Sequence, residues 1–552
     1  DLGRFSLDNM EVISLYNGQK SAIFQPAKDY SSASAIYMQT RKPLFKGEKK
    51  NNLNIGVKGG SFSTINPSLL WEHRFNERIS SSISTEYMYT SGRYKFTYAK
   101  KDGYDTTAVR QNGDVRMLRL ENAFFGKVPK GEWKAKAYLY NSERGYPGAA
   151  VREEPGKFRH QDRQWDTNLF VQGSFQNYFK PWYSLLANGK YAYDYLHYLS
   201  DPRLDVTTMY VDNHYRQQEI YASAAHLFTI YPWWSMSLSN DFQWNTLRAD
   251  LIDFVYPTRN TILTSAATSF DFNHLMLQAS LLYTHVDDNT RTKGANAGTK
   301  NKYTPSVIAT WQPLTKFPLN VRAFYKKVFR MPTLNDLYYT FIGNKDLKPE
   351  YTTQYDVGIT FSHTWNNHWL KSLDLQIDGY YNEVDDKIIA MPTSNQFRWT
   401  MINLGHVEIR GLDAAIRGEW GFGKVELSTL FNYTYQKAQD FTDPTSEWYG
   451  GQIPYIPWHG GSIILNGSYQ TWSCNYSFIY TGERYEAVAN IPENYAQPWY
   501  THDFSLSKTF QWGKTGIRVT AEINNIFNQQ YEVVQCYPMP GTSFKIKLNV
   551  ML

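Results

Sequence analysis

Eight aromatic side chains lie in segments whose polar composition and turn residues indicate loops. Aromatic rings offer a large contact area at a small cost in conformational entropy, so they can stack on a planar or cage-like ligand. The pattern predicts a binding site for a small molecule. For each ring the alternatives are a membrane-interface girdle or contact with a partner lipoprotein. The eight residues are Tyr104, Tyr146, Tyr256, Phe397, Trp399, Trp448, Tyr449 and Tyr537.

Potential metal ligands occur without a diagnostic spacing. The acidic pairs Asp287-Asp288 and Asp385-Asp386 could supply oxygen ligands to calcium. Neither pair follows an EF-hand pattern, so we favour solvated strand ends, and structural calcium is an unsupported alternative. Four histidines in or near predicted loops could ligate haem or a metal, but scattered histidines are usually surface polar residues. They are His160, His197, His214 and His285. The sequence therefore predicts no cofactor and no metal.

Catalytic motifs are absent from the sequence. It contains no nucleophile elbow, P-loop or dinucleotide-binding fingerprint. The two cysteines, Cys474 and Cys536, are too few for a disulfide scaffold, and the sequence leaves open whether they pair. We therefore expect a protein that is not an enzyme.

The C-terminal segment indicates the element that positions these residues. Phe544, Ile546, Leu548 and two further apolar residues alternate with Lys545, Lys547, Asn549 and Met551 over the last nine positions. Side chains alternate between the two faces of a strand, so one face is apolar and the other mainly polar. An unpaired apolar edge promotes aggregation, and closing a barrel removes that edge. The segment predicts the closing strand of a barrel with its apolar face toward lipid and its polar face toward a wet lumen.

Composition supports a single all-β barrel. The mean hydropathy of −0.54 excludes a bundle of membrane-spanning helices. The 43 Tyr and 17 Trp suit membrane interfaces. A net charge of +6 is dispersed along the chain, which argues against nucleic-acid binding. Alternating segments extend from about Asn51 to the C-terminus, with short turns and long loops in alternation. They predict about 22 antiparallel strands of about ten residues each. Such a wide lumen is usually plugged.

Four segments carry a resemblance to a known family. The segment that begins at Asn9 (Asn-Met-Glu-Val-Ile-Ser-Leu-Tyr-Asn-Gly-Gln-Lys-Ser-Ala) and the one at Ile36 (Ile-Tyr-Met-Gln-Thr-Arg-Lys) are similar to the late plug of TonB-dependent outer-membrane receptors. Two barrel motifs are more specific, one over residues 329–350 and one over residues 524–544. Their matching residues are Arg330, Pro332, Asn344, Leu347, Pro349, Glu350, Asn525, Phe527, Tyr531, Pro540 and Gly541. The chain departs from the family pattern at Phe24-Gln-Pro-Ala and at the terminal Leu552.

The resemblance implies a transmembrane barrel over residues 43–552 and the C-terminal part of a plug domain over residues 1–42. It also implies active uptake, in the bacterial outer membrane, of a scarce bulky ligand, driven by the TonB complex. The chain opens at Asp1, so we expect that the segment that engages TonB is missing here. Other expected partners are outer-membrane lipids and a surface lipoprotein.

The identity of the ligand is open at this stage. We rank a cobalamin-type corrinoid first because the predicted outer loops are aromatic and not strongly basic, and ferric siderophores and haem follow. A passive porin and a secreted all-β hydrolase are the alternatives from other classes. Within residues 329–350 we favour a structural role, because Pro332 and Pro349 bracket a rigid crossing whose charges fix its ends.

Overall fold

The computed structural model of the chain describes residues 2–18, 20–99, 105–150, 162–201, 210–292, 296–339, 342–366, 369–392 and 399–552. Within these ranges no helix has the length and apolar character needed to cross a membrane.

A closed antiparallel barrel of 22 main strands forms the body of the protein. The first and last strands pair from Asn54 opposite Met551 to Gly60 opposite Lys545, which closes the sheet and confirms the predicted strand count. The strands are Asn51–Gly60, Thr64–Arg74, Ile79–Thr90, Val115–Val128, Gly131–Tyr146, Asp162–Lys180, Tyr183–Ser200, Val211–Tyr231, Trp234–Ala249, Thr258–Asp271, Leu275–Asn289, Thr299–Trp311, Leu319–Arg330, Glu350–Thr364, Leu370–Pro392, Trp399–Phe422, Val425–Asp440, His459–Tyr469, Trp472–Thr481, Trp499–Trp512, Thr515–Asn524 and Ser543–Met551.

Short strand pairs and helices supplement the 22 main strands. An N-terminal hairpin pairs Met10–Asn17 with Ser34–Thr40. Among the loops, Tyr94–Ala99 pairs with Asp105–Arg110, Arg484–Tyr485 with Tyr495–Ala496, and Glu532–Val534 with Tyr537–Pro538, while Gly451–Gln452 extends the main sheet. The one α-helix in the described part of the chain is Leu334–Tyr338, and the short 3-10 helices are Leu2–Arg4, Leu7–Asn9, Ala27–Ser31 and Pro492–Asn494.

The last strand has its apolar side chains outside and its polar side chains inside. Phe544, Ile546 and Leu548 are 59%, 62% and 44% exposed. The neighbouring Lys547 points the other way and forms an ion pair with Asp8 of the N-terminal segment at 2.7 Å. The predicted orientation of this strand is confirmed. An exterior of this kind suits hydrocarbon, because a closed sheet pairs backbone polar groups between neighbouring strands and leaves no open edge.

A girdle of exposed aromatic residues surrounds the barrel at the end that carries the short turns. Tyr and Trp favour such a position because their rings are apolar with one polar atom. Its members include Tyr178, Trp182, Tyr231, Trp233, Trp311, Trp369, Tyr469, Trp472 and Trp512. The girdle marks one edge of the apolar band.

The strands extend well beyond the predicted ten residues. They range from 9 residues in Ser543–Met551 to 24 in Trp399–Phe422. The sequence pattern predicts a long loop over residues 387–408, and this prediction is wrong in extent, because Lys387 pairs with Leu404 and the ladder continues to Pro392 opposite Trp399. Backbone pairing continues there because strands outside the apolar band need no lipid-facing side chains.

The N-terminal segment, residues 2–42, lies inside the barrel and contacts strands around its circumference. Asn9 donates to Glu121 at 2.8 Å, and Asn17 donates to Asp413 at 3.0 Å. Further contacts join Arg4 to Asp166, Arg41 to Glu72, Lys42 to Glu132 and Gln354 to the Ala33 carbonyl. Because these partners come from distant strands, the segment must cross the lumen.

Candidate functional site

The loop between Arg330 and Glu350 folds inward over the lumen. Its helix Leu334–Tyr338 buries Leu334, Leu337 and Tyr338. These side chains pack in one cluster with Tyr215 and Leu247, whose side chains point into the barrel from two neighbouring strands. We call residues 331–349 the lid loop. Burial of its apolar side chains holds the loop across the barrel mouth.

Arg259 anchors the start of the lid loop. Its Nε and Nη2 atoms each donate to Asp288 at 2.6 Å, and its Nη1 atom donates to the Pro332 carbonyl at 2.6 Å. The guanidinium and the carboxylate are both nearly buried. A bidentate pair of this kind fixes orientation as well as charge, so it positions Pro332 relative to the barrel wall.

The predicted motif residues of the lid loop hold its two ends together. Thr333 and Asp336 form a capping box at the start of the helix. Arg330 lies 3.5 Å from Glu350, and Glu350 accepts the backbone N–H of Ile388 at 3.0 Å. Asn344 donates to the Met401 carbonyl at 3.0 Å, while Leu347 is buried and Pro349 is half-buried. These contacts agree with the structural role favoured from the sequence.

The floor beneath the lid loop is formed by the 3-10 helix Ala27–Ser31 of the N-terminal segment. Asp241 of the barrel wall accepts the backbone N–H groups of Ala27 and Lys28 at 3.0 and 2.8 Å. Tyr221 donates its hydroxyl to the same carboxylate at 2.7 Å. On the opposite side, Lys326 donates to the Ser32 carbonyl at 2.7 Å. Charged wall residues therefore bind the backbone of the segment.

A cavity of about 680 Å³ lies between this floor and the lid loop. Amide, hydroxyl and charged groups are numerous in its wall beside apolar side chains, so it can donate and accept hydrogen bonds in many directions. Its polar lining includes Lys28, Ser31, Ser32, Gln217, Glu219, Gln243, Asn245, Arg259, Thr261, Thr284, Arg330, Glu350 and Thr352. Glu219 organises one side, since it accepts from Lys190 at 2.9 Å and from Gln243 at 2.8 Å.

Burial shifts the acidity of groups in the floor and the lid loop. It raises the pKa of the Asp29 carboxyl above its ordinary value, and the nearby Asp241 adds to this rise. The Tyr37 hydroxyl, which donates to Asp29 at 2.9 Å, and Lys20 oppose it. Burial likewise raises the pKa of Tyr339, whose ring stacks on Tyr215 with centroids 4.4 Å apart. The environment of the floor therefore favours the protonated form of the Asp29 carboxyl group.

The eight aromatic residues predicted to bind ligand do not converge on this cavity. Tyr104 and Phe397 lie outside the described residues. None of the other six lines the cavity. Each of the six contacts different neighbours. The Tyr146 hydroxyl donates to Gln164, and the rings of Tyr256 and Tyr537 lie under the guanidinium groups of Arg291 and Arg110. Trp399 packs on Tyr455, and Tyr449 packs on Phe441 with Trp448 next to it in sequence. Trp399 begins a strand instead of lying in a loop. Their role in ligand contact stays a prediction.

The second predicted motif shapes the last outer loop. Asn525 is buried and donates to the carbonyls of Gln529 and Pro540 at 2.9 and 3.3 Å. Tyr531 stacks on Trp499 with centroids 4.7 Å apart, whereas Phe527 is 68% exposed and packs edge-on against His502. A Cβ at Gly541 would clash with Asn528 Oδ1, so a side chain there would displace the Asn528 side chain.

The sequence analysis did not identify the cavity-lining amides and hydroxyls. Gln217, Gln243, Asn245 and Thr284 occupy inward positions of strands, and the period-two alternation could have placed them on the lumen face. The alternation does not give their height in the barrel, and height decides which of the many inward polar residues meet one cavity.

The acidic pairs and cysteines have ordinary surroundings. Asp287 accepts from Thr299 and Asn289, and its neighbour Asp288 binds Arg259. Asp385 contacts His406, and Asp386 lies 3.7 Å from Lys348. Structural calcium at either pair stays an untested alternative, and the expectation of no metal stays a prediction. No disulfide bond joins Cys474 and Cys536, which answers the open question of their pairing.

The fold and the occupied lumen define a transmembrane β-barrel of the outer-membrane type. The sequence profile described as "TonB dependent receptor-like, beta-barrel" matches residues 51–526. The chain therefore belongs to the TonB-dependent receptor family, whose members are outer-membrane transporters and receptors, and this confirms the predicted family and location.

Two curated relatives show partial similarity. The vitamin B12 transporter BtuB of Photobacterium profundum is 28% identical over 244 residues, which cover 43% of this chain and 36% of that protein. The probable hemoglobin and hemoglobin-haptoglobin-binding protein 4 of Haemophilus influenzae is 26% identical over 157 residues, covering 25% of this chain and 15% of that protein. The chain thus matches about a third or less of the length of these relatives.

Solved structures share the fold across nearly the whole chain. The FrpB iron transporter of Neisseria meningitidis superposes with a TM-score of 0.74 at 13% identity, covering 99% of this chain and 88% of that one. The siderophore receptor PiuA of Acinetobacter baumannii gives a TM-score of 0.75 at 12% identity, with 99% and 86% coverage. At this level of identity the similarity establishes the fold.

Proposed function

We propose that this chain forms the barrel, residues 43–552, and the C-terminal part of the plug, residues 1–42, of an active importer. The supporting observation is the position of a luminal cavity between two elements. The N-terminal segment forms its floor, and the lid loop forms its roof. A ligand bound between them lies directly on the floor, so we expect the floor to move when the ligand passes to the periplasm. Such a device needs different contacts in its closed and open states.

Energy for that movement comes from the TonB complex, which pulls on the plug. The outer membrane holds neither ATP nor an ion gradient, so the force must be delivered across the periplasm. The lipids of the outer membrane surround the apolar band. A surface lipoprotein that covers the outer loops would contact exposed aromatic side chains such as Tyr449.

The imported ligand is a cobalamin-type corrinoid. A corrinoid carries amide groups around its macrocycle, and the wall of the cavity offers Gln217, Gln243 and Asn245 as amide partners, with Thr261 and Thr284 as hydroxyl partners. The partial similarity to a vitamin B12 transporter favours the same ligand. Ferric siderophores or haem are the second candidates, favoured by the shared fold with iron and siderophore receptors.

Binding titrations test the ligand class. Purified protein in detergent is titrated with cyanocobalamin, a ferric siderophore and haem. We expect sub-micromolar affinity for cyanocobalamin, corresponding to about −8 kcal/mol or better. Gln243→Leu should weaken cyanocobalamin binding by about tenfold, because an amide group of the bound corrinoid loses its hydrogen-bond partner. Gln511→Leu, at the exposed short-turn end of the strand Trp499–Trp512, is the matched control.

Three results contradict this assignment. Tight binding of a siderophore or haem without corrinoid binding identifies the second candidate class. A large steady current through the full-length protein in a planar bilayer indicates a passive porin. Solubility without detergent, together with hydrolytic activity, indicates the secreted enzyme.

A further inference from the structure

A histidine and aspartate cluster lies on the outer surface of the barrel, away from the luminal cavity. His197 pairs directly opposite His214 in the ladder between strands Tyr183–Ser200 and Val211–Tyr231. Further along the same ladder, Tyr191 lies opposite Ile220, and both are exposed on the outside. Because side chains alternate along a strand, His197, His214 and Asp212 share this outer face. The cluster is therefore separated from the cargo path by the barrel wall.

The cluster lies above the apolar band. His197 is 14 residues beyond Tyr183, which begins its strand at the short-turn end. A strand tilted by about 40° places it roughly 35 Å from that end, whereas the lipid-facing band of such barrels is about 25 Å tall. The three side chains are thus accessible to water and to ions outside the cell.

Three donor atoms converge in the cluster. His197 Nε2 lies 2.7 Å from Asp212 Oδ1, and His214 Nε2 lies 3.6 Å from the same oxygen. One ligand atom from each residue falls within 4.8 Å of the other two. Asp250 adds a second carboxylate, with its Oδ2 atom 3.8 Å from His214 Nε2. Two imidazoles and one or two carboxylates form a donor set that zinc and neighbouring transition ions accept.

Surrounding residues orient the imidazoles for this role. The Tyr195 hydroxyl lies 2.7 Å from His214 Nδ1, which leaves Nε2 directed at Asp212. Trp165 stacks on the His197 ring with centroids 4.6 Å apart, and the two imidazoles stack at 4.0 Å. Partners that hold the second ring nitrogen are typical of histidine metal ligands, because they fix the orientation of the ring. Aromatic stacking explains the parallel rings of His197 and His214, but it does not explain why both rings direct Nε2 at the same Asp212 oxygen.

We propose that His197, Asp212 and His214 bind one divalent transition-metal ion, with zinc as the best match, on the outer surface of the barrel rim. Asp250 lies beside the site, in contact with His214. The ion would join the two extended strands. Its role is to stiffen the part of the wall that stands beyond the membrane.

Metal titration of the full chain tests this site. Tag-free protein in detergent is titrated with Zn²⁺ alone by calorimetry, and with Cu²⁺ alone for electron paramagnetic resonance. We expect one Zn²⁺ per chain and a Cu²⁺ signal with nitrogen coupling. His197→Ala and His214→Ala should each weaken Zn²⁺ binding by at least about tenfold, and Tyr195→Phe, which keeps the metal ligands, by about tenfold.

His274→Ala is the matched control, because His274 is exposed at a short turn. It should leave Zn²⁺ binding unchanged, and heat-modifiable gel migration should confirm that every variant is folded. The proposal is overturned by the absence of stoichiometric binding. It is equally overturned if binding survives in both His197→Ala and His214→Ala, or if His274→Ala weakens it as much as they do.

Discussion

At the scale of single residues, a few charged side chains position backbone segments in the lumen. Arg259 reaches the Pro332 carbonyl while it pairs with Asp288, and Asp241 receives two backbone N–H groups of the N-terminal segment. Buried charges are costly to remove from water unless they are paired and hydrogen-bonded. Each of these residues therefore has its charge balanced or its hydrogen bonds satisfied by the element that it positions.

Replacing Arg259 by Ala should release the lid loop. The change leaves the carboxylate of Asp288 buried without its partner, a situation that costs about 3–5 kcal/mol. Hydrogen exchange in the helix Leu334–Tyr338 should become faster, as measured by mass spectrometry. Lys371→Ala breaks an exposed pair with Glu426 and should leave hydrogen exchange in the helix unchanged. Unchanged protection of the helix in Arg259→Ala would contradict the anchoring role.

At the scale of elements, the N-terminal segment and the lid loop depend on the barrel for their structure. The helix Leu334–Tyr338 has five residues, which is too short to be stable alone. It forms because its apolar side chains meet Tyr215 and Leu247. The hairpin Met10–Asn17 with Ser34–Thr40 is likewise two-stranded, and such a hairpin is marginal in water. Both elements can therefore move without unfolding the barrel.

Docking of the N-terminal segment should weaken as the pH rises. Burial raises the pKa of Asp29 above 3.8, so the docked segment binds this proton more tightly than the released segment does. The resulting stabilisation is fully present below the ordinary pKa and is lost as the pH rises through the raised value. Around Asp29, Tyr37, Lys20 and Lys28 favour the charged form, and Asp241 opposes it.

Asp29→Asn should reduce this pH dependence, because an amide does not ionise in this range. Limited proteolysis of the segment at about pH 4 and about pH 7 provides the measurement. Asp443→Asn, at an exposed loop carboxylate that accepts from Thr445, is the control and should behave like the parent. An identical pH profile in Asp29→Asn and the parent would show that Asp29 is not responsible.

At the scale of the whole molecule, the barrel is a closed sheet with opposite polarity on its two faces. Phe431 and Ser428 of the same strand illustrate the difference. Phe431 is exposed on the outside, whereas Ser428 lies opposite Glu419 and lines a luminal cavity. The same substitution should therefore have different effects on stability at these two positions, although they are only three residues apart.

Phe431→Arg should destabilise the folded barrel in lipid by about 2–4 kcal/mol, because it places a charge in the apolar band. Ser428→Arg should be close to neutral, since its guanidinium enters a wet lumen beside Glu419. Urea unfolding in phospholipid vesicles, followed by tryptophan fluorescence, measures both changes. Equal destabilisation by the two variants would contradict the assignment of faces.

The sequence by itself determined the barrel, its strand count and the orientation of its last strand. It could do so because side-chain alternation and turn spacing are local properties. Only the tertiary structure decided the long strand extensions, the inward fold of the lid loop, and the meeting of Lys28, Gln243 and Thr284 at one cavity. The same holds for His197 and His214, which are 17 positions apart in sequence and adjacent across a ladder. Register and height in the barrel arise from closure of the whole sheet, and no local pattern contains them.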